Sequence, residues 1–330
     1  MVTNLDKLVK TITGSHVYIQ THNYPDQDAL ASSFGLQVLL ENRNIQSTIC
    51  YSGQIDKYNT QKMVELLPMI ILNNEEFVMK EKDEIILVDS QMGNRNVYNF
   101  PGKIIACIDH HPMQEVQDYE FYDIRSHMGA CATIIGQYFL EERIEISKDA
   151  ATALVYGIKM DTGNLSRKVT ELDVEVLSLL YKLADQDKLH NIESSSLRKE
   201  DLRAYQEAIA NLKIYGRIGI AKIGNHYSEA ILGSVSDFLL TLAEIDITLI
   251  YSYRMGGLKF SVRSSSPGID AGILIKYAVD NLGDGGGHGT MAAGFIPGLR
   301  TELEINDMGA LVEQRVIEFV TKNLKLSELI

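Results

Sequence analysis

A chain of 330 residues exceeds what one hydrophobic core usually organises, since domains run to roughly 100–150 residues, so two domains are expected. With 45% hydrophobic and 23% charged residues it has the composition of a folded soluble protein, which excludes a long disordered segment. A net charge of -13 works against coating duplex DNA or an anionic membrane, which needs many Lys and Arg contacts to phosphate; any polyanion must meet a local positive site.

In chain order, the start from Met1 to Gln20 lacks the apolar core of a secretory signal, and no uncharged apolar run reaches the roughly 18 residues of a membrane span. A cytoplasmic protein without membrane contact is expected. Runs at His16–Thr21, Thr48–Tyr51, Glu84–Asp89 and Ile104–Asp109 read as strands. Ala29–Asn42, Tyr58–Leu67, Ala130–Glu142 and Lys148–Met160 read as helices, the last with Ser147 as N-cap. Near-continuous apolar strands alternating with helices predict an α/β domain, a parallel sheet with helices on both faces, whose ligands gather at the carboxyl ends of the strands. Cys50, Cys107 and Cys131 are odd in number and form no CxxC pair, so no disulfide framework or zinc site is expected, and Cys50 and Cys107, in apolar strand-like runs, read as buried thiols.

A charged stretch from Leu183 to Asn211 marks a boundary. The expected division is a catalytic domain over 1–185, a helical linker over 186–213 and a smaller mixed α/β domain over 214–330. In that last part Arg217–Ile223, Ile247–Arg254 and Leu258–Arg263 read as strands, with Gly256-Gly257 as a hairpin signal. Asp270–Asn281 and Met308–Leu324 read as helices, separated by a glycine cluster. Lys148–Met160 reads as core or as a dimer seam, so a homodimer is compatible with the sequence.

The chemistry begins just after the first strand, in His22-Asn23-Tyr24-Pro25-Asp26-Gln27-Asp28-Ala29. An imidazole and two carboxylates so close repel or waste one another unless a hard divalent cation draws them together; the ordinary alternative is an acidic turn that caps the next helix through Asp28. Asp89 ends the third strand and Asp109-His110-His111 the fourth, so three strand ends supply carboxylate or imidazole to one rim. Asp161 closes a helix, where the dipole disfavours a carboxylate unless something positive offsets it. Asp26, Asp28, Asp89 and Asp161 carry enough negative charge for two divalent cations, with a nitrogen each from His22 and His110. Two such ions roughly 3.5–4 Å apart clamp a phosphoryl group for in-line attack.

With these motifs the chain resembles the DHH phosphoesterase superfamily over essentially its whole length, Asp109-His110-His111 being the name-giving tripeptide. The resemblance implies two divalent cations, manganese by family habit, with His22, Asp26 and Asp89 matching ligands of one and Asp28, Asp89, His110 and Asp161 matching ligands of the other. It also implies that Asp109 orients the neighbouring histidines and that His111 contacts the scissile phosphate. On physical grounds alone the glycine cluster from Gly283 to Gly294 is either a loop tolerating positive φ or a backbone cradle for an anion. Resemblance favours the second: Gly285-Gly286-Gly287-His288 matches the substrate loop of the DHH-associated domain, and Arg263 matches its phosphate-binding arginine, a role suited to a bidentate guanidinium.

Within the superfamily the two-domain length and glycine loop resemble the short-oligoribonucleotide hydrolases called nanoRNases, which also act on 3'-phosphoadenosine 5'-phosphate. The implied reaction is attack of a metal-bridging hydroxide on the phosphorus of a short oligonucleotide or dinucleotide such as pApA, and duplex DNA is not an expected substrate. Manganese-dependent pyrophosphatases share the metal motifs but normally carry a lysine-rich motif in place of the glycine loop. RecJ exonucleases are usually longer. A non-catalytic nucleotide-binding protein is the rival from another class, and it would be expected to have lost a ligand. One departure concerns substrate: Thr162–Lys168, after Asp161, has no aromatic residue where nanoRNases often have one, although Arg167 there offers a phosphate or base contact.

Overall fold

The alternation of β-branched and amphipathic runs resolves into two units, Met1–Ser196 and Leu197–Ile330, in the computed structural model, which describes residues 2–94, 96–113, 118–194 and 197–324. Unit 1 contains α1 (Asn4–Thr11), β1 (His16–Gln20), α2 (Gln27–Asn42), β2 (Gln46–Tyr51), α3 (Tyr58–Leu66), β3 (Ile71–Asn73) and β4 (Glu84–Val88). It continues with β5 (Lys103–Asp109), β6 (Phe121–Ile124), α4 (Cys131–Glu142), α5 (Lys148–Asp161), α6 (Glu171–Tyr181) and α7 (Gln186–Ser194). The six strands are all parallel, in the order β3-β2-β1-β4-β5-β6. The order reverses beside β1 and β4, where two neighbouring strands send their chains in opposite directions and open a crevice at their carboxyl ends.

Alternation along each strand assigns the faces. Val17, Ile19, Ile49, Ile86, Val88 and Ile108 pack into one core together with residues of α1, α2, α4 and α5. Cys50, Ile85, Leu87 and Cys107 pack on the opposite side, so two of the three cysteines are buried in the sheet, and Cys131 is buried in α4. Here the expectation of helices on both faces is corrected: among the described residues, the second face is covered by Phe77, Met79, Met92, Val97, Phe100 and Tyr119, which lie in no helix. Handedness explains which side is helical. Right-handed crossovers place the leftward connections, through α2 and α3, on one face and the rightward ones, between β3, β4, β5 and β6, on the other. The rightward segment 89–102 carries Gly93, Asn94, Asn96, Pro101 and Gly102, a composition that cannot sustain a helix.

One buried carboxylate anchors the α4 side of this unit. Asp173 in α6 accepts hydrogen bonds from the backbone N–H of Gly129 (3.0 Å) and Thr170 (2.8 Å) and from the hydroxyls of Thr170 and Thr133. Replacing it with Ala strands several buried donors. Asp173→Ala should destabilise the protein by about 3 kcal/mol, measured by urea unfolding, against a near-neutral outcome if the network is dispensable.

Unit 2 has a short 3-10 turn (Lys199–Asp201), α8 (Leu202–Asn211), β7 (Lys213–Tyr215), β8 (Ile218–Lys222), α9 (Glu229–Leu239) and β9 (Ile247–Arg254). After these come β10 (Gly257–Ser264), α10 (Ala271–Ala278), β11 (Asp284–His288), β12 (Met291–Pro297) and α11 (Glu302–Asn323). The mixed sheet runs β11-β12-β10-β9-β8-β7, with β8 and β9 parallel and the other pairs antiparallel. The α10 and α11 helices cover one face, α8 and α9 the other. The charged segment 186–213 is shared between the units: α7 packs on α3 and α5, whereas α8 packs on β8 and α9. The hairpin turn falls one residue earlier than the glycine pair suggested. Met255 (φ +53°) and Gly256 (φ +74°) form it, both in the left-handed region that two-residue hairpins require, and Gly257 opens β10. No helix among the described residues is long and apolar enough to cross a membrane.

Candidate metal centre

Three strand ends deliver side chains to the crevice. After β1 the chain turns through His22 and Asp26. Asp26, not Asp28, caps α2, its Oδ1 accepting from the N–H groups of Asp28 (3.0 Å) and Ala29 (3.1 Å). Asp28 is buried and serves another helix. Its two oxygens accept from the N–H groups of Cys131 (2.7 Å) and Ala132 (2.9 Å), the first turn of α4, which lacks a side-chain cap of its own. The sequence could not show this, because the partner lies in a distant segment.

Asp89 follows β4 with a φ of +56°, a conformation uncommon outside glycine, and is held by its N–H donating to Ile108 O at 2.9 Å. Its Oδ1 is buried and has no hydrogen-bond partner. At the end of β5, Asp109 accepts from the N–H groups of His110 (2.7 Å) and His111 (3.2 Å) and from His111 Nδ1 (2.8 Å) through Oδ1. Its Oδ2 accepts from Gln91 Nε2 at 2.6 Å. Asp161 is the last residue of α5.

The histidines are oriented for a common task. His22 Nδ1 lies 2.8 Å from Asn23 O and His110 Nδ1 3.3 Å from Met128 O. Each Nδ1 therefore carries the proton, and each Nε2 is the atom turned toward the carboxylates. His22 Nε2 stands 3.8 Å from Asp26 Oδ1 and 3.7 Å from Asp89 Oδ2. His110 Nε2 stands 3.2 Å from Asp161 Oδ2, 3.4 Å from Asp89 Oδ1 and 3.9 Å from Asp28 Oδ2. The structure thus gathers His22, Asp26 and Asp89 into one potential ligand group and Asp28, His110 and Asp161 into a second, with ligand atoms in each within 4.8 Å of one another; Asp89, His110 and His111 form a third that joins them.

Charge crowding makes this arrangement costly without a cation. Burial, then the neighbouring carboxylates Asp161 and Asp26, push the pKa of Asp28 well above the usual carboxylate range. Burial and the charges of Asp28, Asp26, Asp109 and Asp161 do the same to Asp89. Asp26 goes the other way: burial opposes its ionisation, but His22 and Lys57 hold it below the usual value. Burial also pulls His110 down, whereas at His111 and His22 the effect of burial is outweighed by Asp109 and Asp26 respectively, and both rise. An unpartnered buried oxygen on Asp89, two carboxylates that resist ionising and two imidazole lone pairs aimed at them form a donor set of mixed oxygen and nitrogen. Borderline divalent cations suit it.

Sequence reasoning missed Gln91. It is buried, bridges Asp109 and His111 O (3.2 Å), and is signalled only by being polar just beyond an apolar strand. Outer partners of this kind are worth about 10–100-fold in metal affinity, so Gln91→Ala should weaken binding of Mn2+ by that factor in titration calorimetry. Unchanged affinity would show that Asp109 needs no support.

In unit 2 the glycine cluster is a strand, correcting the loop expected from its composition. β11 pairs with β12 at the sheet edge, and among the glycines of that strand Gly287 alone has positive φ (+153°). Close packing accounts for the others in part: a Cβ on Gly285 would stand 3.0 Å from Val279, beneath α10. Gly286 faces open space and, with Gly287, Arg263, Leu232, Phe260 and Met291, lines a cavity of about 300 Å³. Arg263 Nε donates to Asp237 Oδ1 (2.6 Å), and its Nη1 to Ser261 Oγ (3.2 Å) and Val262 O (3.1 Å). The side chain of His288 lies outside the described residues.

Residues 16–158 match the family model for the DHH family, N-terminal domain, and residues 215–318 that for the DHHA1 domain. The chain is 31% identical over 280 residues to an uncharacterized protein of Methanocaldococcus jannaschii, covering 84% of this chain and 57% of that one. It is 29% identical to a probable manganese-dependent inorganic pyrophosphatase of Clostridium acetobutylicum over 52% of this chain and 56% of the relative. To the cyclic-di-AMP phosphodiesterase PdeA of Listeria monocytogenes it is 24% identical over 87% of this chain and 46% of the relative. The chain spans about half the length of these curated relatives. Among solved structures, an exopolyphosphatase-related protein from Bacteroides fragilis aligns with a TM-score of 0.72 over 96% of both chains at 16% identity, which shows a shared fold.

Proposed function

We propose that this chain, which belongs to the DHH family and carries a DHHA1 domain, is a manganese-dependent phosphoesterase that hydrolyses small nucleotide phosphodiesters such as pApA. The observation that carries the reading is the meeting of buried Asp28 and Asp89 and half-buried Asp26 and Asp161 with two imidazole Nε2 atoms aimed inward. His22, Asp26 and Asp89 would hold one divalent cation, and Asp28, Asp89, His110 and Asp161 the other. The manganese dependence named for the pyrophosphatase relative agrees with this mixed donor set. Bound cations would supply Lewis acidity toward a phosphoryl oxygen and make water nucleophilic at neutral pH.

The chain's own residues divide the remaining work. Asp109, fixed by Gln91 and by the N–H groups of His110 and His111, holds the His111 ring through Nδ1. Half-buried, with its pKa raised, His111 is suited to donate a proton or hydrogen bond to a phosphate or leaving-group oxygen. In unit 2, Arg263 and the backbone of Gly286 and Gly287 are proposed to receive another phosphate, and the apolar walls Leu232, Phe260 and Met291 to receive the flat or hydrocarbon parts of a nucleoside.

Apolar walls of this kind suit a nucleoside, whereas inorganic pyrophosphate has no apolar surface to offer. The relative named as a cyclic-dinucleotide phosphodiesterase also aligns along more of the chain than the pyrophosphatase does. A panel at fixed Mn2+ comparing pApA, longer oligoribonucleotides, 3'-phosphoadenosine 5'-phosphate and pyrophosphate tests the reading. Release of AMP from pApA should be the fastest reaction. Faster phosphate release from pyrophosphate would replace it with a pyrophosphatase, and binding with no turnover on any substrate with a nucleotide-binding protein.

A further inference from the structure

Tyr24 stands in the first acidic loop between His22 and Asp26, and its conformation is out of the ordinary. Its φ is +57°, a region that bulky L-residues avoid, and it precedes Pro25, where the backbone prefers to be extended. Neighbouring backbone holds the loop there: Tyr24 N–H donates to Ser52 O at 2.8 Å, and Asn23 N–H to Asn96 O at 2.6 Å. The ring rests against Gly53, just beyond the carboxyl end of β2, where a Cβ would stand 2.8 Å from two ring carbons; Gly53 itself has a φ of +86°. Despite this anchoring, Tyr24 is 59% exposed. Strain held in place beside reactive groups points to a function for the side chain it displays.

We propose that Tyr24 is a binding subsite for a flat ring, a stacking platform for the nucleobase joined through its sugar to the phosphate at the metal centre. This rests on the phosphodiesterase reading above and specifies what part of the substrate that site grips. Glycine on one side and solvent on the other leave ring surface for a base, and stacking on an aromatic face is available to any base. The segment 162–168, after Asp161, contains no aromatic ring to do the same. The subsite should therefore accept adenine and guanine alike.

The test uses the Mn2+-loaded protein and two ligands that undergo no turnover, AMP and its base-free counterpart ribose 5-phosphate, by titration calorimetry. Wild type should bind AMP about tenfold more tightly, Tyr24→Ala should remove most of that advantage while leaving ribose 5-phosphate and Mn2+ within about twofold of wild type, and Tyr24→Trp should restore it. Equal affinities of wild type for the two ligands, or AMP binding unaffected by Tyr24→Ala, would overturn the proposal. So would a parallel loss of Mn2+ or ribose 5-phosphate affinity in Tyr24→Ala, which would make Tyr24 a pin for the loop. Hydrolysis of pApA by wild type reads the parent proposal separately: without it both fall, whereas turnover with unchanged AMP affinity in Tyr24→Ala removes this one alone.

Discussion

Asp89→Asn should reduce phosphoester hydrolysis by on the order of a thousandfold, more than the roughly 10–100-fold expected for a supporting residue, because Asp89 is the carboxylate that faces both His22 and His110. The same substitution should stabilise the metal-free protein. Asp89 is buried among Asp28, Asp26, Asp109 and Asp161, its Oδ1 has no partner, and its pKa is raised well above the ordinary value. The sign follows from linkage: a carboxyl whose folded pKa exceeds its unfolded one binds more protons when folded, so stability falls as pH rises through that window. Below the unfolded value the wild-type carboxyl and the variant's amide are both neutral, and the two proteins should melt together. Towards neutral pH in EDTA the variant should melt higher. Adding Mn2+ should reverse the order, since a cation at a hundred times its dissociation constant contributes about 2.7 kcal/mol to a protein that can hold it. Thermal melts across pH, with and without Mn2+, make the comparison. A variant that keeps its activity, or that melts below wild type in EDTA at neutral pH, would remove Asp89 from the metal centre.

Much of this centre was legible in the sequence because its members are local to strand ends. A run such as Glu84–Val88 declares a buried strand, parallel strands put function at their carboxyl ends, and Asp89 or Asp109-His110-His111 then needs no long-range information. What depended on distant partners was not legible. The ordinary alternative had Asp28 capping α2, whereas Asp26 does so, because the α4 N-terminus, distant in sequence, claims Asp28. Composition made the glycine cluster a loop, yet pairing of β11 with β12 and the pressure of Val279 and Ile275 from α10 select glycine within a strand. The second face of the first sheet was expected to be helical from the strand pattern, but apolar strands show only that a face is covered, not by what. Gln91 has no periodicity or motif of its own and acquires its role only when β4 and β5 lie side by side.

His111→Ala should separate proton donation from the rest of the machinery. If His111 serves the leaving oxygen, its loss removes a general acid worth roughly 10²–10⁴-fold when that oxygen belongs to a ribose, a poor leaving group that must gain a proton as the P–O bond breaks. A p-nitrophenyl phosphoester expels a stable anion and needs no such help, so its hydrolysis should fall far less. Asp109 would support that role through His111, because Oδ1 accepts from Nδ1 at 2.8 Å while also accepting two backbone N–H groups, which fixes both the ring and the tautomer. Asp109→Asn should therefore show the same leaving-group pattern in weaker form, and the double variant should be little worse than His111→Ala. Rates for pApA and for the p-nitrophenyl ester in all three variants decide it. An equal loss on both substrates would mean that His111 binds the phosphate and leaves protonation to another group, since a binding contact is blind to what departs.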